Sequence, residues 1–267
     1  MHKRQLTIVG IILIAAGILL AITTYRQQAQ DKSSNQQNSV SQKLADSDLS
    51  ELPIVDFSQS KLEGENSERK EKNKRFNYPG VPNSKKTITE LPGGAANILT
   101  ISHWWVGLSA LPVETTDAIV IGTVTNKAAY LADDKTNIYS EYEIKIEKIL
   151  KDLSESLKSN DVVTLVRYGG SVRFNSGKIQ KYKINGYGTL KENHRYLMFL
   201  KKVNGVDLFL VTGYELSGNK VIPIDGQDDK DPRSALPFDK YLNADVDALL
   251  KDIQIALETN RNKGGTE

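Results

Sequence analysis

Between Tyr139 and Leu150 apolar and charged residues alternate, with Tyr142, Ile144 and Ile146 set between Glu141, Glu143, Lys145 and Glu147. Successive side chains of a strand point to opposite faces, so a period of two predicts a half-buried strand. Asp117-Ala118-Ile119-Val120-Ile121-Gly122-Thr123-Val124 is a β-branched run that predicts a second strand, with Gly122 where it bends or bulges. Val162 to Tyr168 predicts a third, ended by Gly169-Gly170. Ser171 to Ile184 reads as a weak hairpin around Asn175-Ser176-Gly177, and Asn185-Gly186-Tyr187-Gly188 as a further bend. Arg195 to Val203 and Val206 to Thr212 form a clearer hairpin pair joined at Asn204-Gly205, a dipeptide suited to tight turns. Lys220 to Ile224 supplies the last strand. No helical period falls between these strands, which favours an antiparallel, closed sheet over a parallel one.

Two segments read as helices. Leu242, Val246, Leu249, Leu250, Ile253 and Leu257 recur at offsets of three and four, and Asn243, Asp245 and Asp247 suit a helix start. This amphipathic helix is expected to close the domain by packing on the sheet. At the other end, Lys3 and Arg4 precede an uncharged run from Gln5 to Tyr25 that closes at Arg26. At ~1.5 Å per residue such a helix reaches about 30 Å, the thickness of a bilayer's hydrocarbon core. The run is longer than the apolar stretch of a secretory signal, and Ala21-Ile22-Thr23 makes a poor cleavage site. An uncleaved anchor is therefore expected, with a removable signal as the alternative. The basic start is expected to stay in the cytoplasm, which places everything after Arg26 outside the membrane.

From Gln27 to about Gly94 the chain is rich in Gln, Asn, Ser, Lys and Glu, a composition that buries too little apolar surface to offset chain entropy. It is expected to be a disordered tether. Two apolar islands interrupt it, Leu52-Pro53-Ile54-Val55-Asp56-Phe57 and Phe76-Asn77-Tyr78-Pro79-Gly80-Val81-Pro82, each either a loose segment or a docking peptide. His103-Trp104-Trp105 follows, and its aromatic pair is expected to cover one end of a core. The organisation that results is a short cytoplasmic start and transmembrane helix over 1–26, a flexible tether over 27–96 and a β domain over 97–260.

Composition narrows the chemistry. The chain has no cysteine and three histidines, so disulfides, a His-Cys zinc site and a lipid-modified cysteine are excluded. His2 sits beside the anchor, leaving His103 and His194, too few for a three-histidine metal centre. No nucleophile elbow, zinc-protease helix or phosphate-binding loop is present in the sequence. An enzyme is not expected, no cofactor is expected, and a hydrolase built around His194 is the remotest reading. A formal net charge of +2 does not by itself single out nucleic acid as a partner.

The strands from Asp117 to Val124, Tyr142 to Lys151, Val162 to Leu165 and Tyr196 to Leu200 together resemble the series in OB-fold modules of the netrin or tissue-inhibitor-of-metalloproteinases type. They are also similar to cysteine-free exported bacterial proteins of unassigned role built on that series. The resemblance covers about Asp117 to Ile224 and implies a mainly β, OB-like antiparallel barrel. The metalloproteinase inhibitors chelate metal through an N-terminal cysteine, which this chain lacks, so only the fold carries over.

One stretch suggests a ligand. From Ser171 to Lys202, Arg173, Lys178, Lys181, Lys183, Lys191, Arg195, Lys201 and Lys202 are opposed only by Glu192, with Tyr182 and Tyr187 interleaved. If Arg173, Lys178, Lys181, Tyr182, Lys183, Lys191 and Arg195 share a face, they form a candidate site for anionic polymers such as wall polymer, lipid head groups or nucleic acid. Solvated lysines guarding a sheet edge are the plainer reading. The acidic run from Asp225 to Asp231 lacks the ligand spacing of a calcium loop and reads as solvated. The expected function is a membrane-anchored extracytoplasmic binding module, the alternative a protein-assembly module of an envelope complex.

Overall fold

A computed structural model describes residues 52–58, 67–77, 87–91, 97–99, 109–184, 186–203, 207–226 and 237–264. Their strands are β1 (Ile54–Asp56), β2 (Asn97–Leu99), β3 (Ala118–Leu131), β4 (Ile138–Asp152), β5 (Val162–Tyr168), β6 (Gly170–Arg173), β7 (Ile179–Ile184), β8 (Arg195–Val203), β9 (Asp207–Ser217) and β10 (Lys220–Pro223). Helix α1 spans Ser67–Arg75, a 3-10 turn spans Pro237–Tyr241, and helix α2 spans Val246–Gly264. The chain is mainly β, as expected. The run 5–25, His103-Trp104-Trp105, the Asn204-Gly205 turn and residues 227–231 lie outside the described residues.

One six-stranded sheet runs β10-β9-β5-β4-β3-β8, and a further pairing of β8 with β9 gives it ring-like bonding. Neighbours are antiparallel except β5 and β9, which run parallel through Leu165 with Leu208 and Val166 with Phe209. The alternation of β4 decides what lies inside: Tyr142, Ile144 and Ile146 join Val120, Val124, Leu165, Tyr196, Met198 and Leu210 in one buried cluster. Gly122 is required where β3 coils past β4. A Cβ there would lie 2.6 Å from the Lys145 carbonyl oxygen and 2.7 Å from the Ile144 side chain, and the pairing shifts register at Ile121/Gly122.

Residues of β3 facing away from that cluster, Ile119 and Ile121, pack with Phe199, Tyr214, Phe238, Leu249 and Ile253 in a second cluster. Helix α2 thus covers the outer side of β3, β8 and β9, in keeping with its expected role. The expected apolar stripe started at Leu242, but the helix begins at Val246 and Leu242 is exposed. Asn243 has φ of 61°, a left-handed conformation that interrupts the helical path before it.

The weak hairpin forms as β6 and β7, inside a four-stranded sheet ordered β1-β6-β7-β2. β1 and β2 join it in parallel. Val55, Ile88, Val172, Phe174 and Tyr182 close over Ala129, Leu131 and Ile138, the parts of β3 and β4 that extend beyond the ring. Here the structure departs from the tether expected over 27–96. Residues 52–58, 67–77 and Ile88 lie on the domain, because the apolar islands supply Val55 and Phe76 to buried clusters and β1 supplies backbone partners to an open edge.

Candidate functional site

The expected basic face is divided by the fold. Arg173, at the end of β6, lies 3.2 Å from Asp56, and Lys178, in the hairpin turn, lies 3.2 Å from Glu90. Lys181 and Lys183 point the same way from β7 and are half-buried, while Tyr182, between them, is buried in the cluster beneath the four-stranded sheet. Lys191 and Arg195 belong to the ring instead: the Lys191 amide donates to the Tyr196 hydroxyl at 2.9 Å, and Arg195 Nε donates to Glu147 at 2.7 Å. Four of the cations, Arg173, Lys178, Lys181 and Lys183, thus share one sheet, and Arg173, Lys178 and Arg195 each face a carboxylate. His194 Nδ1 lies 2.8 Å from Glu215 and is exposed. Among the described residues no group of three or more His, Asp or Glu side chains is placed to hold a metal.

A more developed arrangement lies on the outer face of β4, β5 and β9. Glu141 faces away from the ring interior, as the alternation requires, yet is only 8% exposed. Helix α1 covers it. Arg69 makes a bidentate pair with Glu141, Nη1 to Oε1 at 2.6 Å and Nη2 to Oε2 at 3.0 Å, and Lys72 Nζ reaches Oε1 at 2.7 Å. Arg75 pairs in the same way with Asp207 at the start of β9, at 2.7 and 3.1 Å, and Lys72 lies 3.6 Å from that carboxylate. Three cations from successive turns of one face of the helix, Arg69, Lys72 and Arg75, therefore meet two carboxylates on two strands. Burial pushes the Glu141 carboxyl up, but hydrogen bonds and charge from Arg69 and Lys72 outweigh it and hold the group below its usual range. The hydrogen bond from Arg75 to Asp207 likewise outweighs burial and pushes the Arg75 guanidinium above its usual range.

Aromatic rings complete the face. Phe76 is 1% exposed and stacks on Tyr139 with centroids 3.8 Å apart, while Tyr168 and Phe209 lie 5.6 and 5.7 Å away. The Arg69 guanidinium sits 3.7 Å above the Tyr130 ring. Backbone and amide groups fix the register of the docked segment. The Tyr139 hydroxyl donates to Asn73 Oδ1 at 2.7 Å, Asn137 Nδ2 to the Phe76 carbonyl at 3.0 Å, and the Asp134 amide to Asn77 Oδ1 at 3.0 Å.

Sequence reasoning missed this site because the inward positions of α1 are Arg69, Lys72 and Asn73, which carry no hydrophobic signal. The visible clue was Phe76, an aromatic residue directly after a basic run. It also missed the pair Arg167–Asp225, read as part of a strand and of a solvated loop. Arg167 Nη2 donates to Asp225 Oδ1 at 2.6 Å, with the two side chains 3% and 0% exposed. Leu165 and Arg167 share a face of β5, so the parity that buries Leu165 also buries a cation that needs a partner.

At the end of the ring a cavity of about 410 Å³ opens between Asp117, Asp152, Leu157 and Lys202. Its carboxylates are engaged: Asp152 accepts from the Ser154 and Leu157 amides, and Asp117 from the Lys202 amide. No protein-family model matches the chain, and neither the curated proteins nor the solved structures contain a match to it.

Proposed function

We propose that this chain is a membrane-anchored, extracytoplasmic interaction module that binds a polypeptide partner within an envelope assembly. The uncharged run from Gln5 to Tyr25 supports the anchor and the orientation. The ring supports an OB-like barrel: numbering β3, β4, β5, β8 and β9 as one to five gives the circular order one-two-three-five-four, with three and five parallel, as in that fold. The observation that carries the reading is a peptide segment, α1 with Phe76, seated on an acidic and aromatic sheet face. Beneath the docked segment the sheet itself contributes two carboxylates, Glu141 and Asp207, which suit a basic peptide rather than a polyanion. Catalysis is not part of the proposal, and an active-site role for His194 would require turnover that a His194→Ala change abolishes.

A photoreactive residue at Glu143, exposed on β4 beside Glu141, tests this in native membranes. One adduct of discrete mass is expected there and not from Leu242 on the α2 side. Equal labelling from both positions would overturn the reading. Binding of anionic polymers is the second reading, favoured by Lys181, which has no ion pair among the described residues. It predicts retention on a polyanion column that falls with salt and with Lys181→Glu.

A further inference from the structure

We propose that the outer face of β4, β5 and β9 is a receptor for a basic helical segment ending in an aromatic residue, and that residues 67–77 occupy it in cis as a competitor of the true ligand. The proposal deepens the reading of the chain as a polypeptide-binding module and rests on it.

Four features of the docked segment identify it as a ligand. Its helix, Ser-Glu-Arg-Lys-Glu-Lys-Asn-Lys-Arg, contains no apolar residue and spans nine positions, too few to hold a helix in water alone. Its helicity therefore comes from the surface it sits on. Contact is concentrated in Arg69, Lys72, Arg75 and Phe76, the arginine and aromatic anchors that carry binding energy at protein interfaces. The face supplies paired groups for each: Glu141 and Asp207 for the cations, Tyr139, Tyr168 and Phe209 for the ring. Finally, the contacts with Tyr139, Asn137 and Asp134 read the backbone and amides of residues 73–77, which sets one register.

A peptide with cations at three-residue spacing, followed at once by an aromatic residue, satisfies the same groups. Such a partner competes with a tethered segment whose effective concentration is about millimolar. The cis segment thus sets a threshold that only a tighter or multiply attached ligand passes.

The test uses the full chain and a fluorescent peptide of residues 67–78. In the native chain the peptide at micromolar concentration is expected not to bind. In Lys72→Glu/Arg75→Glu, and separately in Arg75→Glu/Phe76→Ala, it is expected to bind, weakening about tenfold between low and physiological salt as its charges are screened. Adding Glu141→Gln and Asp207→Asn is expected to cost at least about tenfold more. Circular dichroism confirms that each variant keeps its sheet, and the first pair changes only cations of the docked helix and no residue of the sheet. Absence of binding to the folded, opened variants would overturn the proposal, as would equal binding of a scrambled peptide. A native dimer in sedimentation that dissociates on adding the peptide would place the segment in a second copy and contradict occupancy in cis. Any of these failures leaves the Glu143 adduct to judge the broader reading on its own.

Discussion

Gly122 and Asp225 show how single residues fix the ring. Replacing Gly122 by Ala sets a methyl group against the Lys145 carbonyl oxygen at 2.6 Å, a backbone atom that cannot swing aside. The two strands must part there, and the expected loss is about 1–3 kcal/mol, a fall in midpoint of about 2–4 °C per kcal/mol for a domain of this size. Thermal unfolding measures it. Asp225→Asn leaves the Arg167 cation buried opposite a neutral amide, and destabilisation of about 3–5 kcal/mol is expected in urea unfolding. Arg167→Met with Asp225→Leu should recover most of that loss, because neither desolvated charge remains. The exposed pairs Arg173–Asp56 and Arg195–Glu147 contribute at most about 1 kcal/mol each, since water screens them. Gly122 was legible as a bend in a β-branched run. Asp225 was not, because its partner is far away in sequence and its neighbours up to Asp231 are polar.

Among the elements, strands with one clean face were the easiest to read. Tyr139 to Leu150 falls within β4, whose stretch from Tyr142 to Ile146 alternates because burial on one side imposes the period of two, and Val162 to Tyr168 coincides with β5, a β-branched run buried on both faces at Leu165 and Val166. Helix α1 was hidden for the opposite reason: its inward side is cationic, and only the acidic face opposite makes burial favourable. That difference predicts unequal stability. Phe76→Ala removes the central ring of the aromatic stack, but the loss cannot exceed the free energy of docking α1, since beyond it the segment simply leaves. Trypsin is therefore expected to cut the variant rapidly within residues 69–75 at neutral pH, with the melting midpoint of the sheet shifted by no more than a few degrees. A pH effect follows from Glu141. Its pKa is held down in the docked state, so its contribution is complete above the unfolded value of about 4.3 and is lost as pH falls through the lower, docked value. Carboxyl-carbon NMR should show Glu141 titrating below the ordinary glutamate range, with amide signals of 67–77 collapsing toward unstructured positions over the same range. Titration at the ordinary value would contradict the ion-pair account.

At the scale of the whole molecule, the ring carries two outer layers of different character. On β3, β8 and β9 the cover is apolar, with Leu249 and Ile253 of α2 fully buried. Against β4, β5 and β9 the cover is a short basic segment held by two carboxylates and one ring. Hydrophobic cover is not weakened by ionic screening, whereas charge pairs whose cations reach partly into water weaken as ionic strength rises. The mainly β character of the chain was legible in the strand series, while the wrapping by residues 52–58, 67–77 and 87–91 was not, because composition reports average polarity and not which few side chains are turned inward. Hydrogen exchange on the full chain, compared between low salt and about 0.5 M salt, tests the central claim that α1 is a separable ligand on a stable sheet. The account predicts that amides of residues 67–77 open locally and faster in salt while those of β4, β5 and β9 stay protected. Equal protection of helix and sheet at both salt concentrations would contradict it.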